Sequence, residues 1–288
     1  MIHQASARAV QAVRAYSFDR KVYDRSRRAI GIGIGLSLGT AQGTGAAGGT
    51  NFATLLDSLT SAGSTVGYYR SDLGLSTTGS VVNTWANQST SANKFGNCVE
   101  GSAGVGIGSV TAGVGGKAGV ASNATTQYGK ITTVPSPLVA PATTPLNMYI
   151  VARSTALPSA NSILVGNSGF NFTIVQLPSS LTVEMYNGAA QATALVTNAW
   201  ARARASFTGT TSDEIKWGSA AAVTGTSCLN NPSGTLSMGV FAAENGGNVS
   251  PWEIALLLLS TASAASFKAA APTLDAAVTA FYGGTVSV

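Results

Sequence analysis

Ten short apolar segments follow one another between residues 66 and 259, and clusters of Gly, Pro, Asn and Ser separate them. The segments are Val66–Tyr69, Val81–Trp85, Asn147–Ala152, Ser162–Val165, Phe170–Gln176, Leu181–Tyr186, Ala201–Phe207, Asp213–Trp217, Thr235–Phe241 and Glu253–Leu259. Short strands at this spacing are typical of an antiparallel sandwich, whereas an α/β fold would alternate them with helical patterns. The sequence therefore predicts a mainly β protein, built as an antiparallel two-sheet sandwich.

Two further stretches of the body depart from this strand pattern. Gly101–Gly119 is rich in glycine and predicts an irregular loop or a loose strand pair. At the C-terminus, Ala264–Ala271 and Thr273–Tyr282 predict two helices on either side of Pro272, with Thr273 as an N-cap and Gly283 as a stop. The side chains expected to pack across the sandwich are Leu274, Val278 and Phe281.

The first 60 residues do not share the strand pattern, and we expect an extended N-terminal arm (1–60) ahead of the sandwich (61–288). Ile2–Tyr16 has apolar residues at helical spacing, which predicts a short amphipathic helix. From Ile30 to Leu38, apolar residues alternate with Gly and Ser. This pattern predicts a strand that becomes well defined when it pairs with the edge of another sheet.

The end of the arm is expected to connect it flexibly to the body. Gly39–Gly49 has the Gly, Ala and Thr content of a flexible linker, and Asn51–Leu59 predicts a short bridging helix.

The net charge of the chain is concentrated in this arm. Up to Arg28 there are seven Lys or Arg residues against two Asp, a formal charge of +5, whereas from Ala29 onward nine basic residues face nine acidic ones. A neutral body argues against a nucleic-acid-binding face, so nucleic acid is not expected as a partner of the body. The basic arm is suited to an acidic partner surface, with packaged DNA left open as the alternative. The residues predicted to anchor the arm in an assembly are Arg20, Lys21, Arg25, Arg27, Arg28, Ile30, Ile32, Ile34 and Leu36.

Composition gives three further expectations. Only 9% of residues are charged, which leaves little long-range repulsion between copies and favours an oligomer or assembly subunit. The two cysteines, Cys98 and Cys228, are too few for a disulfide framework, and we expect buried thiols, with a disulfide between them left open. No apolar run approaches the roughly 18 residues of a membrane-spanning helix, so no membrane span is expected.

The sequence contains few residues in arrangements suited to catalysis. His3 is the only histidine and lies in the arm, which excludes a Ser-His-Asp or Cys-His arrangement in the body. Asp213 and Glu214 are the one close acidic pair of the body, but adjacent residues of a strand point to opposite faces, unlike the paired carboxylates of a glycosidase. We therefore predict no enzymatic activity, no metal and no cofactor.

Short motifs at both ends of the body resemble a known family. Gly67–Gly74 (GYYRSDLG) and Val82–Ser89 (VNTWANQS) are similar to the first part of concanavalin A-like, LamG-like domains. Trp252–Ser260 (WEIALLLLS) and Ala280–Gly284 (AFYGG) are similar to their last strand and closing helix. The resemblance covers roughly residues 65–284 and implies a concanavalin A-like jelly roll, a domain common on phage tail and head appendages.

These observations lead to three alternative functions. The first is a non-enzymatic phage virion protein of the tail, collar or capsid surface, which the arm joins to other virion proteins. The second is a carbohydrate-binding adhesin or lectin that recognises host surface glycans. The third, ranked well behind, is a glycoside hydrolase. The candidate glycan contacts are Tyr186, Asn187 and Trp217.

Overall fold

The three-dimensional structure is a computed structural model of the chain. It describes residues 52, 56, 63–133, 144–167, 172–185, 193–194, 198–208, 213–225, 237–284 and 286. Residues 49–288 form one compact unit. The arm residues predicted as an anchor, the Gly39–Gly49 linker and Cys228 lie outside the described residues, and the predicted boundary between arm and sandwich stays a prediction.

The described part of the chain is mainly β, as predicted, with a C-terminal helix, α1 (Ala264–Tyr282). Its strands are β1 (Thr65–Arg70), β2 (Leu75–Thr78), β3 (Val81–Trp85), β4 (Cys98–Glu100), β5 (Gly108–Thr111), β6 (Gly119–Ala121), β7 (Gly129–Ile131), β8 (Leu146–Ser154), β9 (Ser162–Gly166), β10 (Ile174–Gln176), β11 (Thr182–Met185), β12 (Thr193–Ala194), β13 (Ala201–Phe207), β14 (Asp213–Trp217), β15 (Val223–Gly225), β16 (Met238–Val240) and β17 (Trp252–Ser260). Every pairing between these strands is antiparallel. None of the described helices is long and apolar enough to cross a membrane.

The strands form one continuous hydrogen-bonded network with two long runs. Layer A has the order β15-β14-β13-β8-β17-β1. Layer B has the order β2-β3-β4-β7-β16-β9-β10-β11-β12. The Gly-rich stretch supplies β5 and β6, which pair with each other and connect β3 of layer B to β17 of layer A. The expected loose strand pair is therefore present.

The main hydrophobic core takes side chains from both layers. Trp217 and Trp252 of layer A meet edge to face, with ring centroids 5.2 Å apart. Layer B contributes Trp85, whose ring lies 5.9 Å from that of Tyr69 in layer A. These large side chains bury much apolar surface, which is the dominant favourable term in folding.

A second core lies on the opposite face of layer A, beneath helix α1. Leu257 and Leu259 of β17 belong to the main core, while Leu256 and Leu258 belong to this second core. The run of four leucines follows from this position, because a strand that is buried on both faces does not alternate apolar with polar residues. The body thus has three layers: layer B, layer A and the helix.

Helix α1 corrects the expectation of two helices. It runs unbroken through Pro272, and its N-cap is Ser263, whose hydroxyl accepts a hydrogen bond from the amide of Ser266. Thr273 therefore lies inside the helix and does not cap one. The end at Gly283 is as predicted, with this residue in the left-handed conformation at φ 72°. The side chains buried against layer A are Phe267, Ala271, Leu274, Val278 and Tyr282.

The buried face explains why the helix tolerates Pro272. Its apolar positions recur at intervals of three and four residues, and residues on both sides of Pro272 are buried against layer A. Pro272 itself is exposed, so its ring does not disturb this contact. Tyr282 is buried where the sequence predicted Phe281, which is only partly buried.

Residues of the motif that resembles the family connect separate backbone segments through side-chain hydrogen bonds. Asn87 accepts hydrogen bonds from the amides of Tyr68 and Ser89 and donates to the carbonyls of Val66 and Phe95, at 2.8 to 3.1 Å. The indole of Trp85 and the amide of Gln88 similarly bind the backbone of Arg70. The segment after β3 is thereby fixed against β1.

Candidate functional site

The structure places Trp217 in the core instead of at a glycan-binding surface. Its side chain is 2% exposed and packs against Trp252. A side chain this deeply buried has no face to offer to a sugar, so the prediction of a glycan contact is corrected at this residue. Tyr186 and Asn187, the other predicted contacts, lie outside the described residues.

Four of the eight described carboxylates are engaged in ion pairs. The pairs are Asp72 with Arg70, Glu253 with Arg153, Asp275 with Arg202 and Glu214 with Lys268. Asp213 points inward, where it accepts hydrogen bonds from Thr208, and its neighbour Glu214 points outward. The predicted opposition of this acidic pair is therefore confirmed. Within the described residues, no three His, Cys, Asp or Glu side chains are grouped to hold a metal ion.

Cys98 is a free, fully buried thiol, in agreement with the sequence-based interpretation. Burial raises the pKa of this thiol, because the thiolate would lose its hydration. A thiol of this kind is a poor nucleophile, so Cys98 acts as a small core side chain.

The outer face of layer B carries a carboxyl group in a partly apolar setting. Val175 of β10 pairs with Ile163 of β9 on one side and with Glu184 of β11 on the other. Directly paired residues share a face, and Glu184 lies between Val183 and Met185, which point into the main core. Glu184 therefore points outward, and desolvation by its surroundings raises its pKa.

The loop between β16 and β17, residues 241–250, folds across this outer face. Ala243 packs against Ile163 and Val175 in a small cluster of its own. The amide of Ile163 donates to the carbonyl of Asn248 at 2.9 Å. Glu244 follows Ala243 directly in the chain, and Glu184 pairs with Val175 of the same cluster.

Internal hydrogen bonds give this loop a fixed conformation. The amide of Ala243 donates to the carbonyl of Gly247, and the amide of Gly246 donates to the carbonyl of Ala243, both at 2.9 Å. Asn245 Oδ1 accepts from the amide of Gly247 at 2.9 Å. Asn245 and Asn248 are exposed, and Asn248 adopts φ 59°, a left-handed conformation that asparagine tolerates better than most residues.

Tyr128 borders the same loop. Its ring packs against Gly101, where a Cβ atom would lie 2.0 Å from the ring, so only glycine fits at that position. Its hydroxyl lies 3.4 Å from Ser102 Oγ and close to Gly246. The loop therefore carries a carboxylate and two amide side chains, and the hydroxyl groups of Tyr128 and Ser102 lie beside its Gly246 end.

This set of groups is suited to a ligand rich in hydroxyl groups. Carboxylate oxygens accept from a hydroxyl group, and an amide side chain both donates to one and accepts from one. Because the loop is fixed before a ligand arrives, little conformational entropy is lost on binding. We refer to Glu244, Asn245, Asn248 and Tyr128 as the loop site.

Sequence reasoning missed the loop site, although a local signal exists. Glu244–Asn248 (ENGGN) is a polar, Gly-containing cluster between two predicted strands, which is typical of a turn. The sequence does not reveal that this turn lies over β9 and β10, because those pairings join residues that are far apart in the chain.

Comparison with known proteins extends the fold assignment. No protein-family model matches the sequence. No curated protein matches it. Among solved structures, Trypanosoma rangeli sialidase in complex with sialic acid is similar over 77% of this chain and 37% of that chain, with 12% identity and a TM-score of 0.52.

Two other solved structures are similar at lower TM-scores. A GH54 α-L-arabinofuranosidase matches 70% of this chain and 51% of its own, with 11% identity and a TM-score of 0.48. Botulinum neurotoxin type C, whose cell entry depends on interaction with two ganglioside molecules, matches 79% and 52%, with 9% identity and a TM-score of 0.46. The chain spans 37% to 52% of the length of these three structures.

The sialidase corrects the function predicted from the sequence. The sequence predicts a non-enzymatic phage virion protein, whereas the structure that shares this fold is a glycoside hydrolase. The same finding contradicts the prediction that the chain is not an enzyme. At 12% identity the likeness establishes the fold alone. Virion partners find no support in these comparisons, and a location in the virion stays an untested prediction.

Proposed function

We propose that this chain is a glycan-recognition protein whose body is a concanavalin A-like, LamG-like jelly roll. The observation that carries the proposal is the loop site, where Glu244, Asn245 and Asn248 lie on one hydrogen-bonded loop and Tyr128 lies beside Gly246 of that loop. The groups are those that recognise sugar hydroxyls, and the scaffold holds them in place.

Two further observations support this proposal. The fold is shared with a sialidase whose structure contains sialic acid, so the architecture is compatible with a protein that acts on glycans. The strand runs that enclose the main core, closed by a terminal helix, are the arrangement that the sequence resemblance implies for a jelly roll.

A glycan array probed with the full chain tests the proposal. We expect binding to a restricted set of glycans, followed by measurement of the dissociation constant for the best one. The double variant Asn245→Asp, Asn248→Asp removes the two amide donors but keeps the side-chain size and the Oδ1 cap of the loop. It should weaken binding by about tenfold or more, since each lost hydrogen bond is worth about 1 kcal/mol.

Asn123→Asp is the matched control, because Asn123 also caps an exposed turn through its Oδ1 atom. This control variant should bind like the wild type. Equal binding by the wild type and the double variant would exclude the loop site, and an array without any bound glycan would exclude the function.

Glycoside hydrolysis is the second candidate. It is favoured by Glu184, an outward carboxyl with a raised pKa that pairs with Val175. Val175 packs with Ala243, the residue that precedes Glu244 in the chain. Glycosidases use two carboxyl groups, and the one that protonates the leaving group needs a raised pKa. Glu184 would be the acid and Glu244 the second carboxylate.

Fluorogenic sialosides and arabinofuranosides test this second candidate. If the chain is a hydrolase, the wild type releases the fluorophore, and Glu184→Gln and Glu244→Gln each abolish release, whereas Glu214→Gln, in a surface ion pair with Lys268, does not. Turnover that survives both active-site variants, or no turnover on any substrate, would reject hydrolysis at this face.

A further inference from the structure

The outer face of layer A carries a second group of polar side chains beyond the reach of helix α1. Arg153 of β8 and Glu253 of β17 are paired across the sheet, and Arg153 Nε donates to Glu253 Oε2 at 2.6 Å. Glu253 is buried, whereas the side chain of Arg153 is 30% exposed. The carboxylate thus anchors a guanidinium group that reaches the surface.

Two further contacts fix the position of Glu253. Its other oxygen, Oε1, accepts a hydrogen bond from Thr111 Oγ1. The backbone of Gly119 passes so close that a Cβ atom there would lie 2.4 Å from Oε1. The carboxylate is therefore hydrogen-bonded to Thr111 of β5 and to Arg153 of β8, and it packs closely against Gly119 of β6.

The indole ring of Trp200 packs against the guanidinium group of Arg153. The Cζ atom of Arg153 lies 5.1 Å from the centre of the indole ring, within the range of a cation–π contact. Trp200 is 8% exposed, and its ring lies beneath the guanidinium group of Arg153. Arg153 is held at Nε by an ion pair and across its plane by an aromatic ring.

This arrangement leaves the two terminal nitrogens of Arg153 unused. Neither Nη1 nor Nη2 has a hydrogen-bond partner in the described part of the chain, and together they carry four N–H donors. Terminal guanidinium nitrogens held in this way match the two oxygens of a carboxylate. Little side-chain entropy remains to be lost, because Arg153 is already oriented.

We infer that Arg153 forms a second ligand site, distinct from the loop site, which binds the carboxylate of an acidic sugar. Glu253 and Trp200 are positioning residues for this site, and Arg153 is the group that touches the ligand. The assignment to a sugar rests on the proposed glycan recognition, whereas the assignment to a carboxylate rests on the guanidinium geometry alone.

NMR titration of the full chain tests this inference at the residue itself. The probes are N-acetylneuraminic acid and glucuronic acid, with galactose as a neutral sugar and inorganic sulfate as a simple oxyanion. We expect both acidic sugars to shift the Arg153 Nε–H and Trp200 Nε1–H signals, and galactose to leave them in place. Sulfate that binds as tightly as the acidic sugars would overturn the assignment to a sugar carboxylate.

Two substitutions separate binding from folding. Arg153→Lys keeps a positive charge beside Glu253 but has no planar pair of donors, and it should weaken binding of the acidic sugars by about tenfold or more. Arg153→Gln should abolish binding of the acidic sugars. Lys268→Gln changes the charge of the same outer face at an exposed ion pair and should bind like the wild type. Thermal unfolding confirms that each variant is folded.

The outcomes for the two sites can be told apart. Acidic sugars that shift signals of residues 244–248 but leave Arg153 and Trp200 unchanged would overturn the inference while the loop site stands. Shifts at Arg153 and Trp200 that Arg153→Lys abolishes support it, even if the substitutions at Asn245 and Asn248 have no effect. Unchanged affinity in a folded Arg153→Lys variant would overturn it.

Discussion

At the scale of single residues, the motif that resembles concanavalin A-like, LamG-like domains makes hydrogen bonds that stabilise the fold. Asn87 makes four hydrogen bonds to backbone groups of β1 and the loop after β3, and Trp85 and Gln88 make others. Buried backbone groups need such partners, because an unpaired one costs about 1 to 3 kcal/mol. Trp85, Asn87 and Gln88 therefore have a structural role in this chain.

Replacing Asn87 by aspartate tests this role. Asn87→Asp keeps the size of the side chain but loses both donors to the carbonyls of Val66 and Phe95, and it places a charge in a buried site. We expect the free energy of unfolding in urea to fall by about 2 to 4 kcal/mol. Asn83→Asp, which loses only an exposed bond to Thr78, is the control and should change it by less than about 0.5 kcal/mol.

Glu184 gives a prediction about pH. Its pKa is raised in the folded protein, so the folded state binds the proton more tightly than the unfolded state does. Above the folded pKa, the ionised Glu184 side chain therefore lowers the free energy of unfolding, and this effect vanishes below the ordinary glutamate pKa of about 4.3. Glu184→Gln should therefore unfold at higher urea concentration than the wild type at neutral pH, and the difference should disappear in acid. A difference that grows in acid would mean that the carboxylate is stabilised instead.

At the scale of elements, strands were predictable where the pattern is local. The predicted bounds of β3, β13 and β14 agree with the structure, because apolar residues between turn residues determine them directly. Helix α1 was predicted as two helices, since Pro272 is a local signal for a break whereas the packing that overrides it comes from layer A. The loop site was missed for the same reason, because strand pairing across the chain assembles it.

Replacing Pro272 tests how much this proline destabilises helix α1. Pro272→Ala restores a backbone donor within an intact helix and leaves the buried face unchanged. The free energy of unfolding should rise by about 1 to 3 kcal/mol, measured by chemical denaturation. A variant of unchanged or lower stability would show that the ring makes favourable contacts or that the helix is bent around it.

Strand β17 tests the three-layer arrangement. Leu257 faces the main core and Leu258 faces the helix, and both are fully buried. Replacing either by alanine should lower the free energy of unfolding by about 2 to 5 kcal/mol. Val110→Ala, at an exposed position of β5, should cost less than about 1 kcal/mol. A mild effect at Leu258 alone would mean that the helix does not cover layer A.

At the scale of the whole molecule, the strands form the hydrophobic cores, and a loop carries most of the proposed glycan site. Layer A has buried cores on both faces, and four of the eight described carboxylates form ion pairs within the body. The proposed glycan site lies mainly on the loop between β16 and β17, in the manner of many binding proteins. Composition alone could not show this, because it reports a neutral body without the placement of its few charges.

Chemical-shift mapping with the best glycan from the array tests the central claim most directly. Backbone amide signals of the full chain are recorded while this glycan is added. We predict that the largest changes fall on residues 244–248 and on Tyr128 and its neighbours at Gly101 and Ser102. Changes that cluster elsewhere, with these residues unaffected, would contradict the assignment of glycan recognition to the loop site.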